Sequence, residues 1–302
     1  ECIGIFKKRG INAVNEVKEN PYSLCTLGIG ISFEKAEAVE ALLEKKPSPD
    51  YRLGAGVLHI MRYNRNSRGH TCIPREKLLK PSADFLDITV DEADITIDRL
   101  IETAQLKSEV IDGTEFIFLP SSYDDEKRIA ERMAIIAAFP PPKAPALSDM
   151  IDSAQKESGI VFEELQRKAV LTAASKGLLI LTGGPGTGKT TAIKGILSVF
   201  ERQHLEIALA APTGRAAKRM TEVTGVEAKT IHRLLEVEWD EDDKPVFRRN
   251  LQNPLDCNAL ILDELSMVDI SVFASLLDAL PLGCRLVLVG DSDQLPPVGA
   301  GN

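Results

Sequence analysis

Lys189, Thr190 and Thr191 stand at the end of a glycine-rich run, Gly183-Gly184-Pro185-Gly186-Thr187-Gly188. From Gly183 to Thr190 the spacing is G-x-x-x-x-G-K-[ST]. Glycines let successive backbone N–H groups curl around an anion, and a helix beginning at the lysine adds the positive end of its dipole. Such a loop suits a polyphosphate. Lys189 would reach the β- and γ-phosphates, the Thr190 hydroxyl would hold Mg²⁺, and Gly184, Pro185, Gly186, Thr187, Gly188 and Thr191 would complete the cradle. The plainer alternative is a glycine turn with a surface lysine. The flanks weigh against it: an apolar run, Leu178-Leu179-Ile180-Leu181, precedes the loop, and Ile193, Ile196, Leu197 and Phe200 follow at helical spacing. Strand, loop and helix come in the order the chemistry needs.

Three more sets fall where strands are expected to end. Asp263-Glu264 closes the apolar run 259–262. An acid at the carboxyl end of a parallel strand lies beside such a loop, where Asp263 would complete the Mg²⁺ shell. Glu264 is then placed to orient and deprotonate an attacking water. The competing reading has these acids capping a helix over 266–280. The run 285–289 leads into Gly290-Asp291-Ser292-Asp293-Gln294. The Gln294 amide is the candidate sensor of a γ-phosphate, against a proline-punctuated surface loop. Pro212-Thr213-Gly214-Arg215 follows a strand expected at 206–211. Hydroxyl, glycine and cation there suit the phosphates of single-stranded DNA. Thr230 and His232 add a hydroxyl and a stackable ring, although a histidine taken alone is more often packed or on the surface.

These residues need a scaffold. The apolar runs of 149–302 alternate with helical patterns, which predicts a parallel sheet with helices on both faces. A helix is expected over 161–175, and a charged hairpin or solvated loop at 236–248. Pro140-Pro141-Pro142-Lys143-Ala144-Pro145 reads as a stiff linker after a helix at 121–139, and the main domain boundary is expected there. Over 50–120, helices at 52–64, 74–79 and 91–105 precede a hairpin turning at Asp112-Gly113, which outlines a winged-helix-like module. Residues 1–46 read as short helices over 6–17, after Asn20-Pro21, and over 33–45. Between them Gly30-Ile31-Ser32, ahead of Ala36, resembles the turn of a helix-hairpin-helix DNA-binding motif, with Ser32 where the second glycine belongs. An ordinary connection between helices is the other reading.

The 302 residues carry a net charge of −9 and are 44% hydrophobic. No apolar run reaches membrane-spanning length, and no signal peptide is visible. The chain starts at Glu1, not Met, so its natural start is expected upstream. Five scattered cysteines without C-x-x-C suit a reducing cytoplasm, and the four histidines have no metal spacing. The acidic total hides a basic stretch: Arg52, Arg62, Arg65, Arg68, Arg75, Lys77 and Lys80 against Glu76. It is either a polyanion track or a solvated face.

Taken together, GGPGTGKTT, APTGRAAKRM, TIHRLL, DELSMVD and GDSDQLPPVGAG occur in the order of the RecD/TraA-type superfamily 1 DNA helicases, which this chain resembles. FEELQRKAV looks like the family's adenine-side glutamine motif, with Gln166 as the base contact. NPYSLCTLGIGISFEKAEAV and RLGAGVLHIM resemble the region ahead of the motor in stand-alone RecD-like proteins. The resemblance implies an α/β P-loop RecA-like domain at 149–302. Ahead of it come a helix-hairpin-helix region at 1–46, a winged-helix-like module at 50–120 and a helix with linker at 121–148. It implies ATP and Mg²⁺, movement 5′ to 3′ on single-stranded DNA or a single-strand/duplex junction, and work beside recombination or repair proteins. DNA contacts are implied at Gly30, Ser32, Pro212, Thr213, Gly214, Arg215 and His232, and catalytic roles at Lys189, Glu264 and Gln294. Leu265 departs from the family's usual alanine.

The family's second RecA-like domain, which supplies arginines to the transition state, is expected beyond Asn302. Without it, ATP–Mg²⁺ and DNA would be bound weakly and hardly turned over, since an arginine finger is worth ~10³–10⁵ in rate. Two other readings stay open: a nucleotide-gated DNA-binding module that does not translocate, and a subunit of an exonuclease/helicase complex.

Overall fold

The computed structural model describes residues 10–26, 31–142, 146–240, 245–291, 293–294, 297 and 299–301. The chain divides into two compact units, one up to Tyr123 and one from Asp124. Among the described residues no helix is long and apolar enough to cross a membrane.

The first unit opens with a 3-10 turn at Gly10–Asn12, helix α1 (Ala13–Glu19), a 3-10 turn at Pro21–Thr26 and helix α2 (Phe33–Leu42). Residues 6–9 of the helix expected at 6–17, and Gly30 of the expected hairpin, lie outside the described residues. There follow α3 (Pro49–Arg68), β1 (Cys72–Pro74), α4 (Arg75–Leu86), α5 (Val90–Glu102), β2 (Lys107–Ile111) and β3 (Thr114–Phe118). The strands form an antiparallel sheet in the order β1-β3-β2. Helix, strand, helix, helix and hairpin is a winged-helix-like order. The sequence reading missed β1, whose three residues show no alternation of burial. It also stopped α4 too early. The helix continues through Pro81 because Leu78, Ala83 and Leu86 anchor its far half in the core. That core gathers Phe33, Val57, Met61, Leu78, Ile97 and Ile117.

In the second unit lie α6 (Pro120–Ala138, from Asp124 on), α7 (Leu147–Ser158), α8 (Glu164–Ser175), β4 (Leu178–Thr182), α9 (Lys189–Arg202), β5 (Ile207–Ala211), α10 (Gly214–Thr224), β6 (Ala228–Thr230) and α11 (Ile231–Leu234). After these come β7 (Val237–Trp239), β8 (Pro245–Phe247), β9 (Ala259–Leu262), α12 (Ile270–Asp278) and β10 (Arg285–Gly290). Five parallel strands pair in the order β4-β10-β9-β5-β6, and β7 with β8 forms a separate hairpin.

Alternation builds both faces of this sheet. Leu260, Leu262, Leu286 and Leu288 enter one core with α12, while Ala259, Ile261, Val287 and Val289 enter the other with α8 and α9. This is why β9 and β10 read as continuous apolar runs. Among the described residues, β4 pairs only with β10, so its outer edge is open, and Ile180 on it is 54% exposed.

Helix α6 is built into the second unit. Arg132 donates to the carbonyls of Leu277 and Leu280 at the end of α12, and Asp125 accepts from the Ser271 hydroxyl at 2.7 Å. Gly177, just ahead of β4, seats against the same helix. A Cβ there would lie 2.2 Å from the Ile136 carbonyl oxygen and 2.9 Å from that of Phe139. Backbone cannot yield as a side chain can. Gly177→Ala should therefore cost the second unit about 1–3 kcal/mol, the usual cost of overpacking, as read by urea denaturation. An unchanged midpoint would contradict this seating.

Candidate active site

The loop after β4 is shaped by two left-handed glycines, Gly186 at φ 77° and Gly188 at φ 82°. Only glycine takes such angles at little cost. Within the loop, the Thr187 hydroxyl donates to Gly184 O at 2.9 Å. Lys189 opens α9, and its ammonium donates to the carbonyls of Gly183 and Gly184, the latter at 3.1 Å. It also sits 3.9 Å from the Asp291 carboxylate. Gln166 presses on the same loop from outside. Its Oε1 accepts from Glu163 N at 3.0 Å, and its Nε2 would lie 2.2 Å from any Cβ at position 188.

A cavity of about 420 Å³ opens here, lined by Gly184 through Thr190, Arg219, Thr224, Asp263, Glu264 and Gln294. The structure thus brings the loop, the acidic pair and the glutamine into one site. Strand order explains it: β10 lies between β4 and β9, so all three carboxyl ends face the same space. Thr191 is half-buried and is not among the lining residues.

The acids are not spent on capping a helix. Asp269 does that for α12, its Oδ1 accepting from the amides of Ser271 and Val272, each at 3.0 Å. Asp263 accepts from the Glu264 amide at 2.9 Å. Glu264 is held at φ 56°, a left-handed angle that costs a residue with a Cβ about 1–3 kcal/mol. Burial pushes the Asp263 carboxyl above the usual aspartate range, despite the lowering influence of the Glu264 amide, Lys189 and Arg219. A half-buried oxygen donor with too little positive charge around it fits a hard divalent cation, and the exposed Thr190 lines the same cavity.

Two residues of this cluster escaped the sequence reading. Asp291 is 3% exposed and accepts from Asp293 N at 3.1 Å and from Gln294 Nε2 at 3.4 Å. The strand-end logic that picked Asp263 would also have found it. Arg219 lies one helical turn beyond Arg215, and only tertiary structure turns it toward the acids.

The expected DNA-contact residues gather elsewhere. Ala211 and Thr230 are register partners at the ends of β5 and β6, so Pro212-Thr213-Gly214-Arg215 and His232 begin side by side. The Thr213 and Thr230 hydroxyls cap α10 and α11, accepting from Ala216 N and Arg233 N, each at 3.2 Å. Arg215 and His232 are exposed, and the His232 ring lies 5.9 Å from that of Phe247. In the first unit the Ser32 hydroxyl caps α2, accepting from Lys35 N at 3.4 Å.

Residues 166–300 match the family model described as an AAA domain, and residues 2–72 match that of the ATP-dependent RecD2 DNA helicase HHH domain. The chain is 32% identical over 304 residues to the ATP-dependent RecD2 DNA helicase of Deinococcus radiodurans, covering 98% of this chain and 41% of that protein. It is 37% identical over 211 residues to the RecBCD enzyme subunit RecD of Mycolicibacterium smegmatis, covering 62% of this chain and 36% of that one. Among solved structures, the Pif1 helicase from Bacteroides in complex with ADP-AlF3 and ssDNA aligns with 46% of this chain and 34% of its own, at 26% identity and a TM-score of 0.32. The chain spans about two-fifths of the length of these curated relatives.

Since the folded state binds the Asp263 proton more tightly than the unfolded chain does, stability is lost as pH rises through its raised pKa. Asp263→Asn, neutral at every pH, should raise the melting temperature at pH 7.5. Calorimetry should show the gain vanishing below about pH 4, where aspartate is protonated in both states. A gain that persists at acid pH would mean the carboxylate is not the cause.

Proposed function

The chain belongs to the RecD-like superfamily 1 helicases, in the form that carries an N-terminal helix-hairpin-helix domain, and from that premise we propose that it holds the ATP-gripping part of a DNA-unwinding motor. The observation that carries this is the single cavity shared by the glycine loop, Lys189, Asp263, Glu264 and Gln294.

In this reading the backbone amides of 184–190 and the Lys189 ammonium bind the β- and γ-phosphates of ATP. Lys189 moves from the loop carbonyls to the phosphates as they arrive. Gln166, against Gly188, reads the adenine edge. The Thr190 hydroxyl and Asp263 would hold Mg²⁺, which when bound would neutralise phosphate charge. Glu264 takes a proton from water as the water oxygen attacks the γ-phosphorus and ADP leaves with the bridging oxygen. Gln294, tied to Asp291 in the strand-end turn, passes the loss of the γ-phosphate to β10. Positioning and electrostatics carry most of such catalysis.

DNA is gripped by Pro212 through Arg215 and by His232, in alternation with a second RecA-like domain of the whole protein, and the strand moves 5′ to 3′. Gly30 and Ser32 touch a DNA phosphate ahead of the motor. Single-stranded DNA or a single-strand/duplex junction is the substrate, and recombination or repair is the setting. Cys25, Cys72, Cys257 and Cys284 form no disulfides, which suits the cytoplasm. The match of residues 2–72 to the RecD2 domain favours the stand-alone form over a complex subunit.

Two variants test this. Lys189→Ala should weaken binding of a fluorescent ATP analogue at least about tenfold and abolish DNA-stimulated ATPase in the full-length gene product. Glu264→Gln should leave nucleotide binding nearly intact and lower turnover about 10²-fold or more, as expected for loss of a general base. Unchanged nucleotide binding in Lys189→Ala would sink the motor reading.

A further inference from the structure

Winged-helix-like modules commonly lay their third helix against nucleic acid. In this chain that helix, α5, carries Asp91, Glu92, Asp94, Asp98 and Glu102 against Arg99 alone. The hairpin that follows adds Glu109, Asp112 and Glu115 against Lys107. The cations near α5 are already spoken for: Arg75 bridges Asp94 and Asp98, each at 2.7 Å, and Arg99 pairs with Asp50. A phosphate backbone approaching α5 would meet like charge, so the common docking face is closed to DNA.

The fold gives the cations of the basic stretch 51–80 different surroundings. Arg52, Arg62 and Arg75 are used inside the unit, on Glu37, on the Cys25 carbonyl and on the α5 acids respectively. Arg68, Lys77 and Lys80 are exposed. Arg68 and Lys77 line a groove of about 480 Å³ between the end of α3, β1 and α4. Tyr63, His70 and Phe85 line it too. Tyr63 is 54% exposed and Phe85 39%. The Phe85 ring is braced from behind by His59, stacked at 5.3 Å with an interplanar angle of 5°.

We propose that this groove is a second DNA site, taking a single strand by stacking its bases on Tyr63 and Phe85 and pairing its phosphates with Arg68 and Lys77. Aromatic faces interleaved with cations recognise unpaired bases, whose flat faces a duplex hides. The proposal rests on the reading that the protein works on DNA, and adds where the first unit holds the strand. It also reconciles an acidic chain with a polyanionic ligand, because the charge is segregated within one small unit.

The test uses the whole 302-residue chain and a fluorescent oligo-dT of about a dozen nucleotides, within the site sizes single-strand binders use. Arg68→Glu with Lys77→Glu should weaken binding at least tenfold. It should also flatten the slope of log affinity against log salt by about 0.7 for each lost phosphate contact. Tyr63→Ala should weaken binding at unchanged salt slope. All three side chains are exposed, so unchanged melting temperatures will show that the variants fold. An iodouracil-substituted strand should photo-crosslink to peptides containing Tyr63 or Phe85. Crosslinks confined to 212–233 would overturn this site and leave the motor reading standing, whereas no crosslink in either region would end both. Binding a blunt duplex as tightly as the single strand would also overturn the proposal.

Discussion

Charge balance at the carboxyl edge of the second unit's sheet governs the rest. One ammonium, Lys189, faces two loop carbonyls and the buried Asp291 carboxylate. Asp263, on the strand beyond, is left short of positive charge. Buried carboxylates are costly unless compensated. The strand order that crowds them is stable because it fills two apolar cores, and the resulting imbalance is one that a bound cation would relieve. Energy for binding is thus stored by packing elsewhere in the same layer, as strained or under-satisfied sites generally require.

Local chemistry was the legible part. Glycines, lysine and threonine at fixed offsets define a loop whatever surrounds it, and the acids after 259–262 could be placed because apolar runs of strand length are plain in the sequence. Long-range facts were hidden. Nothing in the residues says that β10 inserts between β4 and β9, so Asp291 went unassigned. Three-residue strands such as β1 and β6 are too short to show a period. Helix α7 was missed although Leu147, Met150, Ile151 and Ala154 stand at helical spacing, and α8 begins at Glu164 rather than 161.

The cations were a different kind of failure. Sequence counts charges without their partners. Arg75 reads as part of a basic track, yet three carboxylates, Asp94, Asp98 and Glu115, surround it. Only the fold shows that Arg52, Arg62 and Arg75 are held by partners inside the first unit. The same holds for Thr213 and Thr230, whose hydroxyls suited phosphate contacts on composition and are found capping the helices that follow.

The outer edge of β4 has a practical consequence. Among the described residues no strand pairs with this edge, where Ile180 is exposed, and an edge of this kind can receive the same strand of another molecule. An edge in that state would favour self-association of these 302 residues in concentrated preparations. A lysine in place of Ile180 is the natural remedy for anyone wishing to crystallise them.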